Sequence, residues 1–304
     1  MIIEHPLFAI PKDDLGLIRF MNLDKFEHLL ITSSLYFVRA DKLKAADSLE
    51  GTLTKKEFEF LKSRFFGPDF YKSLSNFKIN DRRIKPVAIG RTAITGDRNL
   101  DLSNIRREFQ RVYENRKQGF FINCWCISDH ELNPMWKAYT ETGKGVAIRT
   151  TFNKLKKALE NSDKIIAKEI SYCDFNDISV EIIKNPPIIF KGGIIALLID
   201  MLFKKHRPYE TEQELRLILM DEDYLNLYPT SPMMPDIDVA LHKNVKEFTL
   251  SNVDLITLVD EIILHPGATA EFMESMHKII TRGCKELRDR IAFSRIDSNP
   301  YIFD

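Results

Sequence analysis

Tyr209-Glu210-Thr211-Glu212-Gln213-Glu214-Leu215-Arg216-Leu217-Ile218-Leu219 is the stretch on which the reading of the chain turns. As a strand it sets Glu212, Glu214 and Arg216 on one face and Gln213, Leu215, Leu217 and Leu219 on the other, one wet and one apolar. The two carboxylates then point into the same cleft. As a helix it makes Glu212 and Arg216 an i,i+4 ion pair and Leu215, Ile218 and Leu219 a core stripe. Composition alone admits both, and a solvated charged face accounts for the same residues without any function.

On its N-terminal side, residues 189–206 read as the most apolar helix, stopped by Pro208. Residues 120–128 form a dense apolar run short enough to be a buried strand. Residues 134–141 allow one or two helical turns. Gly143 and Gly145 lead into a strand over 146–150, followed by a helix at 153–160 and a strand at 165–172. Toward the start, residues 18–20 are a short strand, and 24–30 a helix with Phe26, Leu29 and Leu30 on one stripe. Residues 31–38 are rich in strand formers, 39–51 are polar and loop-like, and 52–66 and 101–118 read as helices. Toward the end, residues 259–264 form a strand broken by Pro266-Gly267. A helix over 269–282 comes next, with Phe272, Met276, Ile279 and Ile280 on one face and Gly283 at the C-terminal cap position. Helices and short strands alternate irregularly, which points to a mixed α+β class. With no repeat, low-complexity tract or Gly/Ser linker, residues 1–304 read as a single domain.

Forty-four basic and 44 acidic residues cancel, so no global field draws the chain to nucleic acid or an anionic membrane. Local basic runs remain at Arg82-Arg83 with Lys85, at Arg106-Arg107 and at Lys204-Lys205-His206-Arg207, and these would suit a nucleic-acid acceptor. Solvated helix ends explain them equally. The longest apolar stretch, residues 192–203, carries Asp200 and falls short of the roughly 20 residues of a membrane span. The opening residues lack the order of a signal peptide, and a cytoplasmic location is expected. Four cysteines are too sparse for a disulfide framework. Cys124 and Cys126 face the same way on a strand, yet no second pair occurs to complete a zinc site. The histidines are scattered singletons, so no metal is expected.

Familiar catalytic signatures are missing. Glu141-Thr142-Gly143-Lys144-Gly145 is a poor phosphate loop, since Gly145 stands where a magnesium-binding Ser or Thr is needed. Neither a nucleophile elbow nor a dinucleotide-binding glycine pattern occurs.

Four separated segments together resemble the bacterial family labelled domain of unknown function 2971. The first is Ile18-Arg19-Phe20, then Leu35-Tyr36-Phe37, then an acidic turn. The family has Asn-Asp-Pro-Phe-Glu in that turn, and this chain has Ala46-Asp47-Ser48-Leu49-Glu50-Gly51. The second joins Met135-Trp136-Lys137-Ala138-Tyr139 to Gly143-Lys144-Gly145-Val146-Ala147-Ile148. The third, Tyr-Glu-x-Glu-Trp-Arg in the family, is Thr211-Glu212-Gln213-Glu214-Leu215-Arg216 here, with Thr211 for the tyrosine and Leu215 for the tryptophan. The fourth is the closing strand over 259–264.

The layout is in turn similar to that of ADP-ribosyltransferases. That likeness implies a mainly antiparallel central sheet flanked by helices, with NAD as substrate. As nicotinamide leaves, positive charge grows on the ribose, and a carboxylate at the 2′-hydroxyl stabilises it. On this likeness Glu214 is the catalytic carboxylate and Glu212 faces the acceptor. Arg19 holds a phosphate or ribose as a planar multi-donor cation, and Tyr36, Trp136 or Tyr139 stacks on nicotinamide. The acceptor would be nucleic acid or protein, in a toxin or phage-defence setting with a neutralising antitoxin. Two rival expectations stand beside it. One is a non-catalytic module that binds a nucleotide or a partner protein. The other is a nuclease with Asp47, Glu50, Glu212 and Glu214 around magnesium.

Overall fold

A computed structural model of the protein describes residues 1–45, 47–55, 57, 117–176, 196, 198–226 and 246–296. In chain order the elements are β1 (Ile2–Ile3), β2 (Gly16–Asn22), α1 (Leu23–Thr32), β3 (Ser34–Arg39), a 3₁₀ turn (Ala40–Ala45), β4 (Phe120–Ile127) and α2 (Asn133–Tyr139). Then come β5 (Gly145–Thr151), α3 (Phe152–Ala158), β6 (Ile165–Glu169), β7 (Ser171–Cys173), β8 (Lys204–His206), a 3₁₀ segment (Arg207–Glu212) and β9 (Glu214–Met220). The remainder is α4 (Glu222–Asn226), β10 (Phe248–Asn252), α5 (Leu255–Leu258), β11 (Glu261–Leu264), α6 (Ala270–Gly283), a 3₁₀ segment (Lys285–Arg290) and β12 (Ile291–Phe293).

Ten strands form one mixed sheet in the order β1-β6-β9-β4-β2-β5-β11-β12, with β3 and β10 branching from β4. Pairing is antiparallel except at β1–β6 and β11–β12, so the α+β class expected from the sequence is the one found. Both faces are covered. Phe26, Leu29 and Leu30 of α1, Phe152 and Leu155 of α3, and Met276 and Ile280 of α6 pack with Leu215, Leu217 and Leu219 on one face. On the other, the helical residues 198–202 and Phe203 pack on Ile122, Ile166 and Ile218, while Met135 and Trp136 of α2 pack on Ile18, Phe20 and Ala147.

Local chemistry sets several boundaries. The Asn22 side chain accepts the Lys25 N–H and starts α1, as an N-cap should. Helix α1 runs through Thr32, beyond the helix read at 24–30, and Ser33 ends it in the left-handed region at φ 47°. Only Ser34 onward is strand, which corrects the reading of residues 31–38 as one extended run. Gly283 is the last helical residue and Cys284 the cap. Its role is close packing: a Cβ there would lie 2.7 Å from Leu30 Cβ. The apolar helix read over 189–206 stops short, because Lys204–His206 is a strand paired in parallel with Ser171–Cys173. Most of the helix read at 52–66, and nearly all of that at 101–118, lies outside the described residues.

The sheet is interrupted along one edge of β4. That strand pairs with β3 at Phe121 and Ile122, and with β2 at Cys126 and Ile127, on the same side. Between these contacts β2 and β3 diverge, and α1 links them. Ladder pairing on that edge therefore skips Asn123, Cys124 and Trp125, and the Asn123 Nδ2 donates to the Tyr36 carbonyl across the gap (2.9 Å).

Candidate functional site

The segment 209–219 is neither a helix nor an unbroken strand. Residues 207–212 form a 3₁₀ segment, Gln213 takes φ +41°, and β9 begins at Glu214. Glu212 is therefore off the strand, and alternation does not align it with Glu214. The two carboxylates meet by another route. Lys205 Nζ lies 2.8 Å from Glu212 and 3.4 Å from Glu214. Strands β7 and β8 hold this arrangement against β9: the Ile170 N–H donates to the Glu214 carbonyl, and the Glu214 N–H donates to Tyr172 Oη at 2.9 Å.

Glu214 is 5% exposed and Arg216 1%. Arg216 Nε donates to Glu214 Oε1 at 2.7 Å, Nη1 donates to the Leu202 carbonyl at 2.6 Å, and Nη2 pairs with Glu50. The acidic turn that departs from the family pattern thus contributes Glu50 to the same buried network. Its neighbour Asp47 is buried and turns Oδ1 back onto the Leu49 N–H.

The electrostatics are set by this packing. Burial alone would push the Glu214 carboxyl up, but Arg216 and Lys205 outweigh it and hold the pKa below its ordinary value. For Glu50 burial prevails over Arg216 and the carboxyl is raised. Burial opposes the charge on Lys205, yet Glu214, Glu50 and Glu212 raise its pKa. Burial raises the Tyr172 hydroxyl to about 12 and the Cys126 thiol to about 11, and puts the Cys124 thiol well above its usual value. Neither cysteine is a ready thiolate nucleophile.

The other residues singled out in the sequence divide. Tyr139, 44% exposed, joins the site at its rim, with its hydroxyl 3.5 Å from Glu212 Oε2, the outer limit of a hydrogen bond. Burial, then Glu212, raises its pKa. Trp136 does not join. It is 1% exposed, edge-on to Phe20 and His265, and donates Nε1 to Glu131 at 3.1 Å, so no ring face is open for stacking.

Arg19 lies on the opposite sheet face from Glu214. Ile18 pairs with Cys126, which pairs with Glu214, so Ile18 shares that face and Arg19 points the other way. Its guanidinium sits 5.8 Å from the Trp125 ring centroid, with its pKa drawn down to about 10, chiefly by burial. Tyr36 stands on β3, which lies between β4 and β10, and stacks on Phe248 of β10 at 4.9 Å. It occupies the face of Val38 and Ile122, the face that also carries Glu214.

The run Lys204-Lys205-His206-Arg207 is not an open basic patch at its lysines. Lys204 is engaged by Glu57 and Asp200, and Lys205 by the two glutamates. The runs at 82–85 and 106–107 lie outside the described residues. Among the described residues no group of three or more His, Cys, Asp or Glu side chains is placed to hold a metal ion, and Arg216 bridges two of the carboxylates assigned to magnesium. No helix among them is long and apolar enough to cross a membrane.

The sequence places Lys205 only in a basic run suited to an acceptor and gives no sign of its pairing with Glu212 and Glu214, nor of the pairing of Glu50 with Arg216. A lysine nine residues before a buried glutamate has no local signature, because β8 and the turn at Gln213 bring it there.

The family profile described as protein of unknown function (DUF2971) matches residues 135–217. That span contains Trp136, Tyr139, Lys205, Glu212, Glu214 and Arg216, and supports the family likeness at the second and third of the four segments, while the first and fourth lie outside it. No curated protein and no solved structure matches the chain.

Proposed function

We propose that the protein is an NAD-consuming enzyme of the ADP-ribosyltransferase type. Nicotinamide leaves the ribose anomeric carbon with the electrons of the glycosidic bond, the acceptor nucleophile forms the new bond, and the acceptor proton is released. Glu214 holds the ribose 2′-hydroxyl and steadies the developing cation, while Glu212 faces the acceptor. Tyr139 at the rim and Tyr36 on the same sheet face offer rings for stacking. The observation that carries this reading is the convergence of Glu212 and Glu214 on one lysine, Lys205, with Tyr139 at the rim. The acceptor in this proposal is nucleic acid or protein, the setting is cytoplasmic defence or toxicity, and an antitoxin protein is the natural counterpart.

A second reading, a non-catalytic module that binds a nucleotide or a partner protein, is favoured by one specific fact. Glu214 is almost fully buried and already held by two cations. Incubating the purified protein with NAD and a cellular extract, and measuring free nicotinamide, separates the two. Release by the wild type and its loss in Glu214→Gln supports the enzyme. NAD binding by calorimetry without release supports the module.

A further inference from the structure

Resting on the NAD-site reading, we infer that Lys205 is the cation that receives the diphosphate of the substrate, and that it masks Glu214 until it does so.

Among the described residues two cations touch the glutamate pair, Arg216 and Lys205. Arg216 is committed: its three nitrogens meet Glu214, Glu50 and the Leu202 carbonyl in the sheet interior. Arg19 is on the other face. Lys205 is differently placed. Its ammonium bridges a deep carboxylate, Glu214, and a rim carboxylate, Glu212, and lies 5.2 Å from the ring centroid of Tyr209. Lysine is a compact point charge on a flexible stem with rotatable donors, so it can exchange one anion for another without the planar fit an arginine needs.

The ligand-free arrangement leaves Glu214 poorly placed to accept a sugar hydroxyl. Oε1 faces Arg216 and Oε2 faces Lys205. A diphosphate arriving at the rim offers Lys205 a stronger set of acceptors than Glu212 provides. As the ammonium moves outward, Glu214 Oε2 loses its cation, while Arg216 and the hydrogen bond from the Cys124 thiol keep the carboxylate ionised. One movement then anchors the substrate and exposes the acceptor atom. The implied ligand class is a nucleoside diphosphate ester, in preference to an unphosphorylated nucleoside.

Inorganic pyrophosphate, titrated calorimetrically, tests the anchor without any need for turnover. Wild type and Lys205→Arg are expected to bind it, and Lys205→Gln to bind at least about tenfold more weakly. Glu212→Gln, a change at the rim that leaves the interior pair intact, is expected to bind more tightly because Lys205 loses a competing partner. Equal affinity in wild type and Lys205→Gln, no binding by wild type, or unchanged or weaker binding by Glu212→Gln overturns the inference. With NAD and nicotinamide riboside as paired substrates, Lys205→Gln should raise KM for NAD about tenfold more than for the riboside. Equal losses on both would show a structural lysine and overturn the proposal. Pyrophosphate binding that weakens in Lys205→Gln, in a protein that releases no nicotinamide, sinks the transferase reading and keeps Lys205 as the anion anchor.

Discussion

Glu214 and Arg216, two residues apart on β9, point to the same side of the sheet with Arg216 Nε 2.7 Å from Glu214 Oε1. The strand thereby carries an ion pair along its own length, in an environment where neither charge meets water. Such a pair is a poor source of net stability but is costly to break, because the survivor is left charged and unpaired.

Arg216→Met should destabilise the protein by about 3–5 kcal/mol in denaturant unfolding, since Glu50 loses its ion-pair partner and Glu214 one of its two cations. Adding Glu50→Gln to Arg216→Met should recover part of that loss. A double variant no more stable than the single would show that Glu50 is not charged in the folded state.

The pH dependence of stability should separate the two buried carboxylates. Glu214 has a folded pKa below its ordinary 4.5, so its contribution is present above that value and is lost as pH falls through the lower folded pKa. Glu50 has a raised pKa, so its contribution is present below 4.5 and is lost as pH rises through the folded value. Unfolding free energies measured across acid pH should therefore lose their decline just above 4.5 in Glu50→Gln. The loss below 4.5 should diminish in Glu214→Gln. Profiles superimposable on the wild type would contradict both assignments.

Gly283→Ala should be destabilising despite alanine's better helix propensity. The added Cβ would approach Leu30 Cβ to 2.7 Å, forcing α6 away from α1. Overpacking of this kind costs typically about 1–3 kcal/mol, against about 1 kcal/mol gained in propensity. The companion change Leu30→Gly removes the opposing Cβ, so Leu30→Gly and Gly283→Ala together should destabilise by less than the sum of their separate losses. A thermal scan of the single and double variants decides the matter.

Trp136→Ala should behave as a core deletion, lowering stability by about 3–5 kcal/mol. Trp136→Phe should lose less, chiefly the hydrogen bond to Glu131. Calorimetric NAD affinity should be the same for Trp136→Phe and wild type. A marked loss of affinity in that variant would return the ring to the ligand site.

Several parts of this structure are written in local sequence. The helix at Leu23–Thr32 arises from an Asn cap and apolar residues at helical spacing, and the helix at Ala270–Gly283 from a Thr cap and a 3.6-residue stripe. The buried run from Phe120 to Ile127 reads as a strand because both its faces are covered. The alternation from Glu214 to Met220 is legible once a strand is assumed.

Assembly of the sheet settled the rest. Whether Arg19 shares a face with Glu214 depends on register, and a shift of one residue would reverse the answer. Ile18 opposite Cys126, and Cys126 opposite Glu214, put the two on opposite faces. Glu212 left the strand because Gln213 turns into the left-handed region. Glu50 reaches Arg216 from a distant part of the chain, and Lys205, close in sequence, is turned back onto the glutamates by β8 and the bend at Gln213. Periodicity is legible in sequence because it acts between neighbours. Burial of charge is a property of what folds over a residue, so only the tertiary structure could show which of the chain's many ionic side chains are enclosed together.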